Sequence, residues 1–230
     1  MGFYEITSIL LILLIVISII IGTNVRRTFK KYNTYSAASG ITATHAVRII
    51  LERAGVNNVM IKPCRGSLTD HYDPRDNTVY LSETVINSHS VASIGIAAHE
   101  AGHAIQYAKN YAPVKTRGAM VPIVNFSSKA SMIFIIAAII FESAVYSQTM
   151  LIIGIVFYSV YTVFTVVTLP VEINASKRAK SLLTETGALT ADENVLASKV
   201  LNAAALTYVA SMAVSILQLL RFIGLLSRRR

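Results

Sequence analysis

The chain has 230 residues, 53% hydrophobic and 14% charged, with a formal net charge of +9 and a mean hydropathy of +0.55. Soluble domains carry about 25% charged residues, so lipid is part of this chain's solvent, and intrinsic disorder, which needs low hydrophobicity and many charges, is excluded. Cys64 is the single cysteine, which excludes a disulfide scaffold.

Residues 3–22 are almost continuously apolar over the roughly 20 residues a spanning helix needs. They lack the basic start, short apolar region and small cleavage residues of a signal peptide, so 1–22 reads as a retained first transmembrane helix. An inner region, 23–120, follows. Within it 39–54 predicts a helix capped by Thr42 or Ser39 and ended by Gly55. Residues 56–70 are β-prone but interrupted by Pro63 and Gly66, and 71–81 has the strand–turn–strand form of a small hairpin or edge sheet. Residues 90–110 predict the most regular inner helix, with Ser88 or Ser90 as cap and Pro113 marking its far end. The second span is 121–147 and the third 148–169. An inner segment, 170–202, then predicts a helix over 171–184, opened by Pro170, and a turn over 187–192. The last segment, 203–230, is apolar to 226 but contains Gln218 and Arg221. It reads either as a fourth span or as a buried helix covering the rest, and it ends in a basic C-terminus.

Lysine and arginine are retained on the cytoplasmic side of short loops. Arg26, Arg27, Lys30 and Lys31 follow the first span; Lys109, Lys115, Arg117 and Lys129 precede or enter the second; Lys177, Arg178 and Lys180 follow the third. The turn 142–148 has neither residue type. This places the N-terminus outside and 23–120 and 170–202 in the cytoplasm. The basic surplus is therefore topogenic, and nucleic acid is not an expected partner. The arginines at 228–230 conflict with this pattern if the fourth segment spans.

His99-Glu100-Ala101-Gly102-His103 matches H-E-x-x-H inside the predicted 90–110 helix. Residues four apart share a helical face, so both imidazoles can reach one metal ion. Glu100 points about 100° away and can reach a water beside that ion. Zinc brings the pKa of such a water toward about 7, and a carboxylate can take its proton during attack on a peptide carbonyl. The competing reading is two histidines in a helix-packing surface, but a buried Glu100 without a role would be costly. A third ligand must come from elsewhere. The topology removes Glu5 and Glu142, and Glu172 stands out because a proline at the first helical position would put it in the first turn, facing the helix's positive end. Asp70, Asp73 and Asp76 are rivals whose spacing around Pro74 suits turn-making better.

The stretches AAHEAGHAIQ, LTDHYDP-R, LPVEINASKRA and VLNAAALTYVA occur in this order and resemble the YugP-like family of membrane zinc metallopeptidases. The resemblance implies a gluzincin-like site with one zinc ion held by His99, His103 and Glu172, and with Glu100 as base. The arrangement is also similar to HtpX-type membrane peptidases, in which an Asp orients a ligand histidine. Ser176 stands at that position here and can take the imidazole N–H in its place, with Asn174 as a less direct substitute.

Lower-ranking candidates complete the set. His71 can line the cleft or stabilise an oxyanion, although tying the hairpin together is its favoured reading; the hairpin itself is the candidate edge for an extended peptide. Tyr208 and Asn202 lie on the last helix and can face the site, although interfacial anchoring suits a tyrosine there. His45 and His89 read as structural, and Cys64 as a buried or strand thiol. The expectation is a mainly α, multi-span helical membrane protein with a zincin-type helix and a small β hairpin. Its activity would be that of a zinc metalloendopeptidase cleaving membrane-associated or unfolded proteins at the cytoplasmic face of a prokaryotic-type plasma membrane. Peptide substrate and bilayer are the partners implied; oligomeric state is not legible. A zinc-stabilised scaffold and a zinc-dependent lipid or amide hydrolase are the alternatives.

Overall fold

The computed structural model describes residues 2–142 and 145–228. Ser143 and Ala144 of the expected outer turn, and Arg229 and Arg230 of the terminal arginines, lie outside the described residues. The chain is mainly helical: α1 Phe3–Tyr32, α2 Ala43–Arg53, β1 Met60–Cys64, β2 His71–Asp73, β3 Thr78–Ser82, α3 Val91–Ala108, α4 Ala112–Ile140, α5 Ser147–Glu185 and α6 Ala191–Arg228. It divides into two compact units, one of Met1–Ile21, Lys115–Pro170 and Thr207–Arg230, the other of Gly22–Val114 and Val171–Leu206.

The first unit holds the apolar stretches of four helices, α1, α4, α5 and α6, each long and apolar enough to cross a membrane. Ile12 and Ile133 are each 64% exposed, a state that only a lipid solvent makes favourable for so many apolar side chains. The last helix is tied to the first at their terminal ends. Arg221 donates to Ser8 Oγ and to Tyr4 Oη, each at 2.9 Å, and Arg228 pairs with Glu5 at 3.4 Å. A Cβ at Gly224 would stand 2.8 Å from the Phe3 ring. Arg221, the residue that weakens 203–226 as an apolar segment, is thus supplied with partners from α1.

In the second unit, Thr42 caps α2 by accepting from the His45 N–H at 3.1 Å; Ser39 instead donates to the Ala188 carbonyl. Ser90 caps α3 by accepting from Ser93 N–H at 3.1 Å. The hairpin forms with His71 opposite Tyr80 and Asp73 opposite Thr78. The β-prone stretch before it contributes β1, which pairs parallel to β3, so the sheet order is β1-β3-β2. Val47, Ile50, Leu81, Ile94, Ala97 and Leu183 are fully buried in one core shared by the sheet and helices. Thr190 and Glu193 close the start of α6 reciprocally, Glu193 N–H donating to Thr190 Oγ1 and Thr190 N–H to Glu193 Oε2.

Two expectations about proline need correction. Pro113 does not mark the end of α3, which stops at Ala108, but lies in the first turn of α4, where its missing N–H costs nothing. Pro170 opens no new helix. It lies inside α5, which continues unbroken from Ser147 to Glu185. A single lost donor leaves the rest of a long apolar helix's ladder intact, so Glu172 is not in a first helical turn.

Candidate metal centre

The site is built where α3 and the second half of α5 approach closely. Small side chains permit it: Ala98, Ala101 and Ala175 are fully buried. At Gly102 an added Cβ would stand only 2.7 Å from the Ala175 carbonyl oxygen. The glycine inside the HEAGH sequence is therefore a requirement of helix contact.

Across this contact His99 Nε2 lies 3.2 Å and His103 Nε2 3.5 Å from Glu172 Oε2. The two imidazoles meet edge to face with centroids 4.7 Å apart. One donor atom from each of His99, His103 and Glu172 falls within 4.8 Å of the others. Two donors each about 2.1 Å from a tetrahedral ion stand about 3.4 Å apart, so this donor set fits zinc, and an ion held by these three residues alone would have one position open.

The remaining ring nitrogens are held from both helices. Ser176 Oγ lies 3.1 Å from His99 Nδ1. Gln106 Oε1 lies 3.0 Å from His103 Nδ1. The amide of Gln106 donates to the Val171 carbonyl at 2.8 Å and to Asn174 Oδ1 at 3.0 Å, and Arg178 donates to the same Asn174 oxygen. This orientation makes Gln106 Oε1 an acceptor, so His103 Nδ1 carries a proton, and the ring presents its Nε2 to Glu172. Gln106 ends the stretch AAHEAGHAIQ but carries no role in the H-E-x-x-H motif. The signal available was a glutamine three residues after His103 on the same face of an apolar helix; in the structure it is fully buried.

The two carboxyl groups are shifted in opposite directions. Burial disfavours charge on Glu172, but hydrogen bonds from His103 and His99 overcome it and hold its carboxyl far below the usual range. The missing helix-terminal dipole is thus replaced by the imidazoles. Burial also disfavours a charged His103, yet Glu172 and Glu100 raise its pKa overall. Glu100 is 8% exposed, and burial pushes its pKa up against the opposing pull of His99 and His103, with the Glu172 and Asp70 charges adding to the rise. Among the described residues nothing hydrogen-bonds to its carboxylate.

The other candidates are placed elsewhere. Asp70 accepts from Ser82 N–H at 2.7 Å and Ser82 Oγ at 3.0 Å. Asp73 pairs with Arg75 at 2.6 Å, and Asp76 accepts from Tyr80 Oη, so all three rivals bind the hairpin together. His71 stacks on Tyr80 and bonds the Thr69 carbonyl. Asn202 accepts from Lys180, Tyr208 lies half-buried on the apolar stretch of α6, His45 is exposed on α2, and His89 bonds the Gly40 carbonyl. Cys64 ends β1, half-buried beside Thr69.

Residues 7–227 match the model of a family described as "Putative neutral zinc metallopeptidase". The chain is similar to "Putative membrane protease YugP" of Bacillus subtilis (strain 168), 40% identical over 199 residues, or 86% of this chain and 87% of the relative. No solved structure matches.

Proposed function

The chain belongs to this family of neutral zinc metallopeptidases, and from that premise we propose that His99, His103 and Glu172 hold the ion, that Glu100 is the general base, and that the substrates are membrane-associated or unfolded proteins cleaved at the cytoplasmic face. The observation that carries the reading is a buried carboxylate, free of hydrogen bonds from the described residues, beside two imidazoles and a second carboxylate already within ligand spacing.

Zinc, when bound, supplies a Lewis acid for the scissile carbonyl and a lowered pKa for water at its open position. Glu100 takes the proton of the attacking water and returns it to the leaving amine; burial strengthens its hold on that proton between the two steps. Ser176 and Gln106 fix the ring orientations of His99 and His103, and Asn174 fixes Gln106. The strand β2 is an edge of the sheet, and an extended peptide adding to it would be held by main-chain hydrogen bonds. In this reading 23–120 and 170–202 form the catalytic part, 1–22, 121–147 and 148–169 cross the bilayer, and 203–230 contributes the fourth apolar helix.

Glu100→Gln in the detergent-purified full chain tests the role. Zinc content by elemental analysis should stay at the wild-type level while cleavage of a fluorescent unfolded casein falls about 10²–10⁴-fold; undiminished cleavage removes Glu100 from the mechanism. Cys64 tests sidedness, since it is the single cysteine. A membrane-impermeant maleimide should label it in permeabilised but not intact cells, and labelling of intact cells reverses the assignment.

A further inference from the structure

At the end of α1 that leaves its apolar stretch, a groove of about 490 Å³ runs between α1 and α6, lined by Arg27, Lys31, Tyr32, Lys199, Asn202 and Leu206 among others. All of these residues belong to the second unit. Three cations converge on it, and among the described residues none of the three forms an ion pair. The ammonium groups of Lys31 and Lys199 lie over the same Tyr32 ring, 5.3 and 5.6 Å from its centroid. Tyr32 is itself buried. Two like charges from different helices gathered on one ring, with a guanidinium one turn away and no carboxylate among them, are complementary to a shared anion.

The place along the helix identifies the anion's source. At 1.5 Å per residue, Arg27 lies about 7.5 Å beyond Gly22, the end of the apolar stretch, and Lys31 about 6 Å further. That places Arg27 at the level of the lipid headgroups and Lys31 just beyond it, where its long flexible stem can carry the ammonium back to a phosphate. On α6 the order is the same: Lys199 and Asn202 come first, and the exposed Leu206 opens the apolar stretch. The groove therefore offers cations and an amide to a phosphate and an apolar lip to an acyl chain. We propose that it binds the headgroup of one anionic phospholipid, which bridges α1 and α6.

Native mass spectrometry of the full chain, released from nanodiscs of phosphatidylcholine with phosphatidylglycerol, tests this. The chain should retain one phosphatidylglycerol, and Arg27→Gln with Lys31→Gln should lower retention at least tenfold. The charge-matched pair Arg26→Gln with Lys30→Gln, one position away around α1, should change it less than threefold. Lys199→Gln, which leaves the basic run of α1 intact, should act in the direction of the first pair. Equal losses from both pairs would show diffuse attraction and overturn the site. Displacement of the lipid by millimolar inorganic phosphate would overturn the lipid assignment in favour of a free anion.

Discussion

Replacing Gly102 by alanine would add one methyl group to a helix that should tolerate it, because alanine is favoured over glycine in a helix interior by about 1 kcal/mol. The contact says otherwise. The new Cβ would stand 2.7 Å from Ala175 O, where ordinary contact begins at 3.4 Å, and the obstacle is backbone that cannot rotate away. The helices α3 and α5 must then part locally by about 0.7 Å. Overpacking of this kind costs about 1–3 kcal/mol. Its chemical effect is larger than its effect on folding, because Glu172 and Ser176 flank Ala175 on the displaced helix while His99 and His103 flank Gly102 on the other. Ligand positions must hold within about 0.5 Å, so zinc affinity should fall about 10–100-fold, as it does when supporting contacts are removed. Chelator competition on purified Gly102→Ala measures this. Gly95→Ala is the control, since its Cβ would meet the Ala197 Cβ at 3.1 Å on the same helix but two turns from Gly102. Wild-type zinc affinity in Gly102→Ala, or an equal loss in Gly95→Ala, would refute the argument.

Glu172→Ala should lower zinc occupancy in elemental analysis to a small fraction of wild type, and unchanged occupancy would point to another third ligand. Ser176→Ala should weaken zinc binding about 10-fold, with Ser176→Asp recovering it; chelator competition reads both. Removing zinc should abolish cleavage and lower the thermal unfolding midpoint in detergent, with zinc but not magnesium restoring both. Glu193→Gln should destabilise by about 0.5–1 kcal/mol at neutral pH through the loss of charge at the α6 cap. The Glu193 carboxyl is partly buried, but hydrogen bonds from Thr190 and Ala38 hold its pKa below the ordinary value. Its contribution is therefore full above that ordinary value and disappears as pH falls through the lower folded one, so the two proteins' unfolding midpoints should converge at acid pH.

The paired histidines were legible because a four-residue spacing has one meaning on a helix. Glu172 was legible as a residue but not for its reason. A proline before an acidic residue reads locally as a helix start, and only the packed helix shows that Pro170 is interior and that imidazoles, not a helix terminus, hold the charge. Ser176 was reached from the family pattern. Gln106 was not, because a lone buried glutamine gains meaning only from the long-range partners Val171 and Asn174. The parallel pairing of β1 with β3 was invisible for a related reason: register between strands 18 residues apart depends on tertiary closure, whereas a four-residue turn specifies its own hairpin.

His99 and Glu172 are 73 residues apart in the chain, with the apolar stretches of α4 and α5 between them. At bacterial or eukaryotic synthesis speeds of about 5–20 residues per second, the ribosome needs roughly 4–15 s after making the histidines before it delivers their carboxylate partner. During that interval the nascent protein carries two of the three proposed ligands, and two further hydrophobic segments must be manufactured before the third exists. On the proposed ligand set, the site cannot be completed until both of those segments have been synthesised.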